Sequence, residues 1–405
     1  MTIDNFFQKS DVFQDANVFN EGYIPDIFLY RDDEIKTVGT EFAYLYNGTS
    51  GQHLWINGPP STGKTQVVKR LVQEFNAHAN NENRKVFFAY TNAREKTLPP
   101  VYAELLSKFN PELALQRGIS TTEIIHKIKK IAKSRYKYVN FIFDEIDKIV
   151  PTPSHKNPIN EIIGTFTRLH EDGDFELSDI GYMTTIISND MHLHKHLSQS
   201  TQSTFVAHNV KFNEYDARQF GTIFQERCKL GFLPNIVKDE DVLHFSASLC
   251  KGVKDVRTGL RVLHRAGQLV DRRDGVKKIS WDDIQRAFKL VEKDKLFETI
   301  IKLDEPQLAF LVSVARAQQR KEVATTSLVY RIYTQIAHQH CFEVLKPRYM
   351  MEFIAPKLDG TGLITTAVKG LGRGKGISKT FEVLDEELKD ILDMGESELE
   401  KRSEH

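Results

Sequence analysis

Gly58-Pro59-Pro60-Ser61-Thr62-Gly63-Lys64-Thr65 meets every fixed position of the phosphate-loop pattern G-x-x-x-x-G-K-[ST]. The apolar run before it, His53-Leu54-Trp55-Ile56-Asn57, reads as a short buried strand. After it, Val67, Val68, Leu71, Val72 and Phe75 recur at helical spacing. Strand, glycine loop and helix thus stand in the order the chemistry requires. The glycines permit a tight turn, and amide N–H groups at the helix N-terminus then face bound phosphates. Lys64 is expected to reach the β- and γ-phosphates of ATP, and the Thr65 hydroxyl to bind magnesium. A glycine-rich turn with a stray lysine is the competing explanation. From average composition, a chance match in a chain this long is on the order of one in a hundred.

A second stretch supplies acids. Tyr138-Val139-Asn140-Phe141-Ile142-Phe143 is an apolar strand that ends in Asp144-Glu145-Ile146-Asp147. An aspartate at a strand's carboxyl end helps hold magnesium and its waters, and the adjacent Glu145 is placed to polarise an attacking water. Alone, such a strand end is common; downstream of a full phosphate loop, the Walker B reading is favoured. Residues 85–91, 183–188 and 204–210 read as further strands. Asn189 follows the second of these and could orient a water against a γ-phosphate, although Asn is also a common turn residue. Ser120-Thr121-Thr122-Glu123 is a capping box, and Asn157-Pro158 opens another helix. Five strands separated by helices predict a parallel α/β sheet with its ligand at the strands' carboxyl ends.

At 405 residues, more than one domain is expected. Lys+Arg and Asp+Glu balance at 55 each, which excludes a uniformly basic nucleic-acid binder but leaves room for a locally basic domain. No apolar run approaches membrane-spanning length, and the start, Met1-Thr2-Ile3-Asp4-Asn5, lacks a signal-peptide layout. Cys228, Cys250 and Cys341 lie far apart without metal-ligand spacing and read as buried reduced thiols of a cytosolic protein. The first twenty residues have no clear periodicity and read as a tether or arm.

From about residue 211 the pattern is all helical, with helices expected near 214–230, 239–250, 255–273 and 281–296. Arg257, early in the third, could reach back to a γ-phosphate; on local sequence alone a surface arginine is the better reading. Further on, Leu308, Leu311, Val312 and Ala315 mark one helix, and Leu328, Tyr330, Ile332 and Ile336 a second. A third starts near Pro347 and carries Tyr349, Met350, Phe353 and Ile354. Two strands follow, 362–368 and 377–383, joined by the basic glycine-rich run Lys369 to Gly376. Three helices and a basic-tipped hairpin make a winged-helix layout. Lys346 and Arg348 on the third helix, with Arg373 and Lys375 in the wing, are the candidate DNA contacts. The basic tip favours DNA over the protein contacts this fold also makes. Residues 385–405, charged and poor in aromatics, read as a mobile tail.

In this order the motifs resemble archaeal replication initiators related to the eukaryotic origin-recognition and cell-division-control loading ATPases. The resemblance covers roughly residues 12–384. It rests on Tyr23-x-Pro25 with Arg31-x-x-Glu34, the Gly58 to Thr65 loop, Asp144-Glu145-Ile146-Asp147, Ser188-Asn189-Asp190 and Gly252-x-x-Asp255-x-Arg257. It implies an α/β AAA+ P-loop module over residues 1–210, a helical lid over 211–298 and a winged helix over 299–384. It implies that Tyr23, Pro25 and Arg31 lie beside the base of ATP or ADP, and Tyr215 is grouped with them. It makes Asn189 and Arg257 the first and second sensors. It places an initiator-specific helical insertion within 95–118 and implies a second DNA contact there, near the weakly basic stretch Lys96 to Lys108. It also implies double-stranded origin DNA, the minichromosome-maintenance helicase and other initiator paralogues as partners, and a nucleoid-associated location.

One departure stands out. An AAA+ arginine finger belongs in the turn before the fifth strand, here Ser198-Gln199-Ser200-Thr201-Gln202-Ser203, which has no Arg or Lys. Lys195 is the nearest cation in sequence. Slow ATP hydrolysis, used as a switch, is the expectation. Two other readings compete: a regulatory paralogue that represses from the same DNA, and a signalling or transposition-accessory ATPase whose winged helix binds protein.

Overall fold

Burial of the apolar strands organises the first of two compact units, residues 1–284 and 285–405. The computed structural model describes residues 9–49, 51–114, 118–169, 180–252, 255–275, 277–370, 377–385 and 387–403. The first unit runs α1 (Asp32–Tyr46), β1 (His53–Asn57), α2 (Lys64–Asn81), β2 (Val86–Asn92), α3 (Leu98–Phe109), α4 (Pro111–Ala114), α5 (Thr121–Arg135), β3 (Tyr138–Asp144), α6 (Pro158–Thr167), β4 (Gly181–Ser188), α7 (Gln199–Thr204) and β5 (Ala207–Lys211). The five strands form one parallel sheet in the order β2-β3-β4-β1-β5. β3 and β4 are interior and almost wholly buried, which is why both read as mostly apolar without alternation, with Asn140, Thr184 and Thr185 buried among the apolar residues. Val38 and Phe42 of α1, with Val67 and Val68 of α2, cover one face over Ile56, Phe88 and Ile187. Tyr102 of α3, Ile128 of α5 and Phe166 of α6 cover the other over Phe141, Phe143 and Ile186. This order sets the carboxyl ends of β3, β4 and β1 side by side, and so gathers Asp144, Asn189 and the phosphate loop.

The segment expected to hold an insertion forms α3 and α4. The apolar face of α3, with Val101, Leu105, Leu106 and Phe109, is buried in the main core. β5 begins at Ala207, later than its sequence suggests. Ser198 caps the short α7 first, its Oγ accepting from the Thr201 N–H at 3.3 Å.

The helices after β5 are α8 (Ala217–Gly231), α9 (Asp239–Lys251), α10 (Val256–Asp271) and α11 (Trp281–Ile300), and the division at residue 284 falls within α11. Asp216 and Gln219 form a full capping box on α8. The N-terminal segment, expected as a loose tether, is instead seated on these helices. Val12, Val18 and Phe19 are buried, and Phe13 and Phe19 gather with Phe232 and His264. Gly231 and Gly267 make the seat: a Cβ on Gly231 would lie 2.3 Å from the Phe19 ring, and one on Gly267 2.4 Å from Phe13.

The second unit has its own core. α12 (Glu305–Gln319) and α13 (Thr326–Gln339) are followed by one continuous helix in three parts: α14 (Pro347–Tyr349), a π turn at Met350–Ile354, and α15 (Ala355–Thr361). Pro356 has no N–H to offer the Glu352 carbonyl, and the Ala355 N–H reaches back five residues to the Met350 carbonyl. β6 (Thr365–Gly370) and β7 (Ile377–Glu382) pair antiparallel as the hairpin. The expected mobile tail is a correction: α16 (Leu388–Ser403) buries Ile391, Leu392 and Leu399 in the core of this unit. Arg316 of α12 meets Glu396 at 2.9 Å, and Gly395 lets the two helices approach at Val312. Charge on the outer face had hidden a sparse apolar stripe. The expectation of buried thiols is met at Cys228 but not at Cys341, which is exposed. Among the described residues no helix is long and apolar enough to cross a membrane.

Candidate functional site

The phosphate loop takes its shape from three positive-φ residues. Gly63, at φ +91°, begins α2, and Ser61 stands at +61°. Gly58, at φ +145°, lies where a Cβ would meet the Phe212 carbonyl oxygen at 2.1 Å, so only glycine fits there. Lys64 is buried, and its Nζ donates to the carbonyls of Gly58 and Pro59, each at 2.7 Å. Burial lowers its pKa to about 8, against the opposing pull of the carboxylates of Asp144 and Asp147.

Asp144 ends β3 with no exposed surface. It accepts from Tyr90 Oη at 2.5 Å and the Glu145 N–H at 2.8 Å, and is bonded to the Thr65 side chain. Burial raises its pKa, while these hydrogen bonds lower it. Glu145 is itself left-handed, at φ +51°, which turns its side chain away from the strand axis. Arg94 Nη1 lies 3.8 Å from its Oε1, a contact the motif did not reveal. Asp147 accepts from the Asn189 N–H at 2.9 Å and so fixes the tip of β4. The last residue of the acidic motif therefore positions the first-sensor candidate.

A cavity of about 480 Å3 opens over these groups. Tyr23, Pro25, Pro60, Ser61, Thr62, Gly63, Lys64, Thr65, Asp144, Glu145, Asn189, Tyr215 and Arg257 all line it. Arg257 is more than the surface arginine its local sequence suggests, since its Nε donates to Ser61 Oγ at 2.9 Å. Asp255, the N-cap of α10, accepts from the Ser61 hydroxyl and from Thr258 Oγ1. The start of the lid helix and the phosphate loop thus share one hydrogen-bond network.

Arg31 is a correction to the expected base-side group. It does not line the cavity; it is buried behind the loop. Its Nε donates to Thr62 O at 2.9 Å and Tyr215 Oη at 3.0 Å, its Nη2 to Asn213 O at 2.7 Å, and its Nη1 to Glu34 Oε1 at 2.8 Å. The guanidinium also lies 4.0 Å from the centroid of the Tyr215 ring. A fork with all its arms engaged is a brace for the loop. A second arginine lines the cavity beside Arg257: Arg227 of α8, 4.6 Å from the Tyr23 ring centroid. No motif marked it. Its signal is spatial only, a buried cation over an aromatic from the arm.

In the second unit Lys346 and Arg348 are exposed at the start of the third helix. Arg348 Nε is held by Glu352 Oε1 at 2.8 Å, one turn along. Arg373 and Lys375 lie outside the described residues.

The AAA model, "ATPase family associated with various cellular activities", matches residues 54–192, the sheet and its loop. The model "CDC6, C terminal winged helix domain" matches residues 298–393. In both domains the chain is similar to the archaeal ORC1/Cdc6-type initiators. Among them it is similar to the ORC1-type DNA replication protein 1 of Sulfurisphaera tokodaii, 27% identical over 93% of this chain and 90% of the relative. The ORC1-type DNA replication protein of Pyrococcus furiosus is 26% identical over 92% and 88%. In fold it matches the Aeropyrum pernix ORC1 protein, solved in complex with DNA, with a TM-score of 0.81 at 21% identity over 97% and 98% of the two chains. The ORC1/Cdc6 family accounts for a P-loop sheet and a winged helix in one chain. The fold also brings Arg168 to the turn before β5, which has no Arg or Lys of its own. Arg168 Nη2 lies 3.3 Å from Thr201 Oγ1 and its Nε 3.4 Å from Thr204 Oγ1, both on α7.

Proposed function

We propose that this protein is an ATP-dependent replication initiator that binds duplex origin DNA through its winged helix and helps to recruit the replicative minichromosome-maintenance helicase. The observation that carries the reading is the joining, in one chain, of a Lys64–Asp144–Glu145 site closed by lid residue Arg257 to a winged-helix unit. ORC1-type replication proteins at similar length support it. In this reading Lys64 holds the β- and γ-phosphates, Glu145 polarises water, and Asn189 and Arg257 sense the γ-phosphate. The bonded pair of Thr65 hydroxyl and Asp144 carboxylate is a hard-oxygen donor set that fits magnesium, whose role when bound is to neutralise phosphate charge. Tyr23, Pro25 and Tyr215 border the base. Lys346, Arg348, Arg373 and Lys375 contact DNA, the contact of Arg348 requiring release of Glu352. Turnover is slow, and bound nucleotide acts as a switch in the cytoplasm, on the nucleoid. Footprinting across the organism's replication origins, with and without ATP, tests the reading. Protection confined to origins and altered by ATP is expected; absence of any footprint on chromosomal DNA overturns it in favour of a protein-contact winged helix. Protection without helicase loading points instead to a repressing paralogue.

A further inference from the structure

Two aromatic side chains stand in solvent on the third helix of the winged-helix unit. Tyr349 is 49% exposed and Phe353 57% exposed. One turn apart, their rings stack with centroids 4.8 Å apart and planes 28° apart. The opposite face of the same helix buries Met350, Ile354, Ala355 and Leu358, so the fold has its apolar anchor without them. Burial therefore gives no reason for a flat apolar patch on the outer face, and a patch flanked by charge marks a contact surface.

We infer that the Tyr349–Phe353 pair reads thymine C5-methyl groups in the major groove of duplex DNA. The inference rests on the DNA-binding reading above and adds the base feature recognised. Charge selects the occupant. Arg348 and Glu352 pair with each other, which leaves Lys346 and Lys357 exposed on this helix against Asp359 alone. The described part of the hairpin adds the exposed Lys379. The helix face is thus apolar at its centre, with cations at its margins. A duplex matches this, with phosphates along the groove walls and thymine methyls as the apolar groups on its floor. An aromatic ring gains from covering a methyl and has no comparable partner on cytosine or guanine.

The test measures binding of the full chain, with ATP, to duplexes that differ only in that methyl. Alternating dA–dT polymer is compared with alternating dA–dU polymer, and alternating dG–dC polymer with its 5-methylcytosine form. Each methyl covered is worth roughly a fourfold change in affinity. Wild type is expected to bind dA–dT several-fold more tightly than dA–dU, and methylated dG–dC more tightly than unmethylated. Tyr349→Ala and Phe353→Ala are expected to bind dA–dT more weakly and to discriminate neither pair, with unchanged melting temperatures because both rings are exposed. Phe353→Leu, still apolar, should keep part of the preference. Wild-type binding that ignores the methyl, or alanine variants that keep the preference, overturns the inference while leaving DNA binding intact. Failure to bind any duplex overturns the DNA-binding reading and this inference together.

Discussion

Lys64 is where pH should act on the nucleotide site. Its amine titrates near 8, well below its ordinary 10.5, because burial disfavours the charged form. For a base lowered by folding, the penalty is fully present below about pH 8. It is relieved as pH rises toward the ordinary value, because there the unfolded chain holds the extra proton. Polyphosphate reverses the shift, so above about pH 8 binding must take up a proton. ATP affinity is expected to fall by up to about tenfold per pH unit there, and Lys64→Arg, charged throughout, to flatten the profile. Fluorescent-nucleotide titrations across that range check it; a flat wild-type profile removes the titration of Lys64 from the account. Glu145→Gln is expected to keep ATP binding and to lose turnover by roughly a hundredfold or more, while Lys64→Ala loses binding itself. Single-turnover hydrolysis beside equilibrium binding separates the two. These residues were legible in sequence because each lies at the end of a strand or the start of a helix, where local spacing fixes its position. Arg31 was legible as present but not as aimed. Its partners sit at residues 34, 62, 213 and 215, and no local pattern encodes which way a long side chain turns.

At the scale of elements, the seated arm is the feature that periodicity could not find. Phe13 and Phe19 meet residues more than two hundred positions away, and the matching signal is a pair of glycines, Gly231 at the last position of α8 and Gly267 inside α10, where glycine is normally a cost. Gly267→Ala puts a methyl 2.4 Å from the Phe13 ring and 2.7 Å from Phe232, and is expected to destabilise by about 1–3 kcal/mol. Phe13→Ala vacates that space, so the double variant should be less destabilised than the sum of the singles, by at least ~1 kcal/mol. Urea midpoints of the four proteins close the cycle; strictly additive losses mean that the arm does not occupy the glycine seat in solution. α16 escaped for a different reason: four buried positions among sixteen residues, one of them Gly395, are too few to outweigh the charges around them. The interior strands, by contrast, were readable because near-complete burial leaves them mostly apolar, whereas the start of the half-exposed edge strand β5 was not.

For the whole molecule, the open question is whether subunits act on one another. A trans arginine is worth a factor of about 10³ or more in phosphoryl transfer. The turn before β5 has no arginine in its sequence, and the side chain of Arg168, bonded to hydroxyls of α7, is occupied within its own chain. Specific ATPase activity is therefore expected to stay constant as protein concentration rises. A steep rise that disappears in Arg168→Ala would instead make Arg168 the finger, and one that disappears in Lys195→Ala would assign it to Lys195. Neither outcome follows from reading the turn alone, because Arg168 lies about thirty positions earlier in the chain.

The glycine seat also orders the chain in time. Synthesis runs from the N-terminus, so Phe13 and Phe19 emerge from the ribosome long before Gly231, Phe232 and Gly267 exist. Until then two phenylalanines and their apolar neighbours have no native partner. The arm is thus made early and seated late: its phenylalanines wait for more than two hundred further residues before their partners exist.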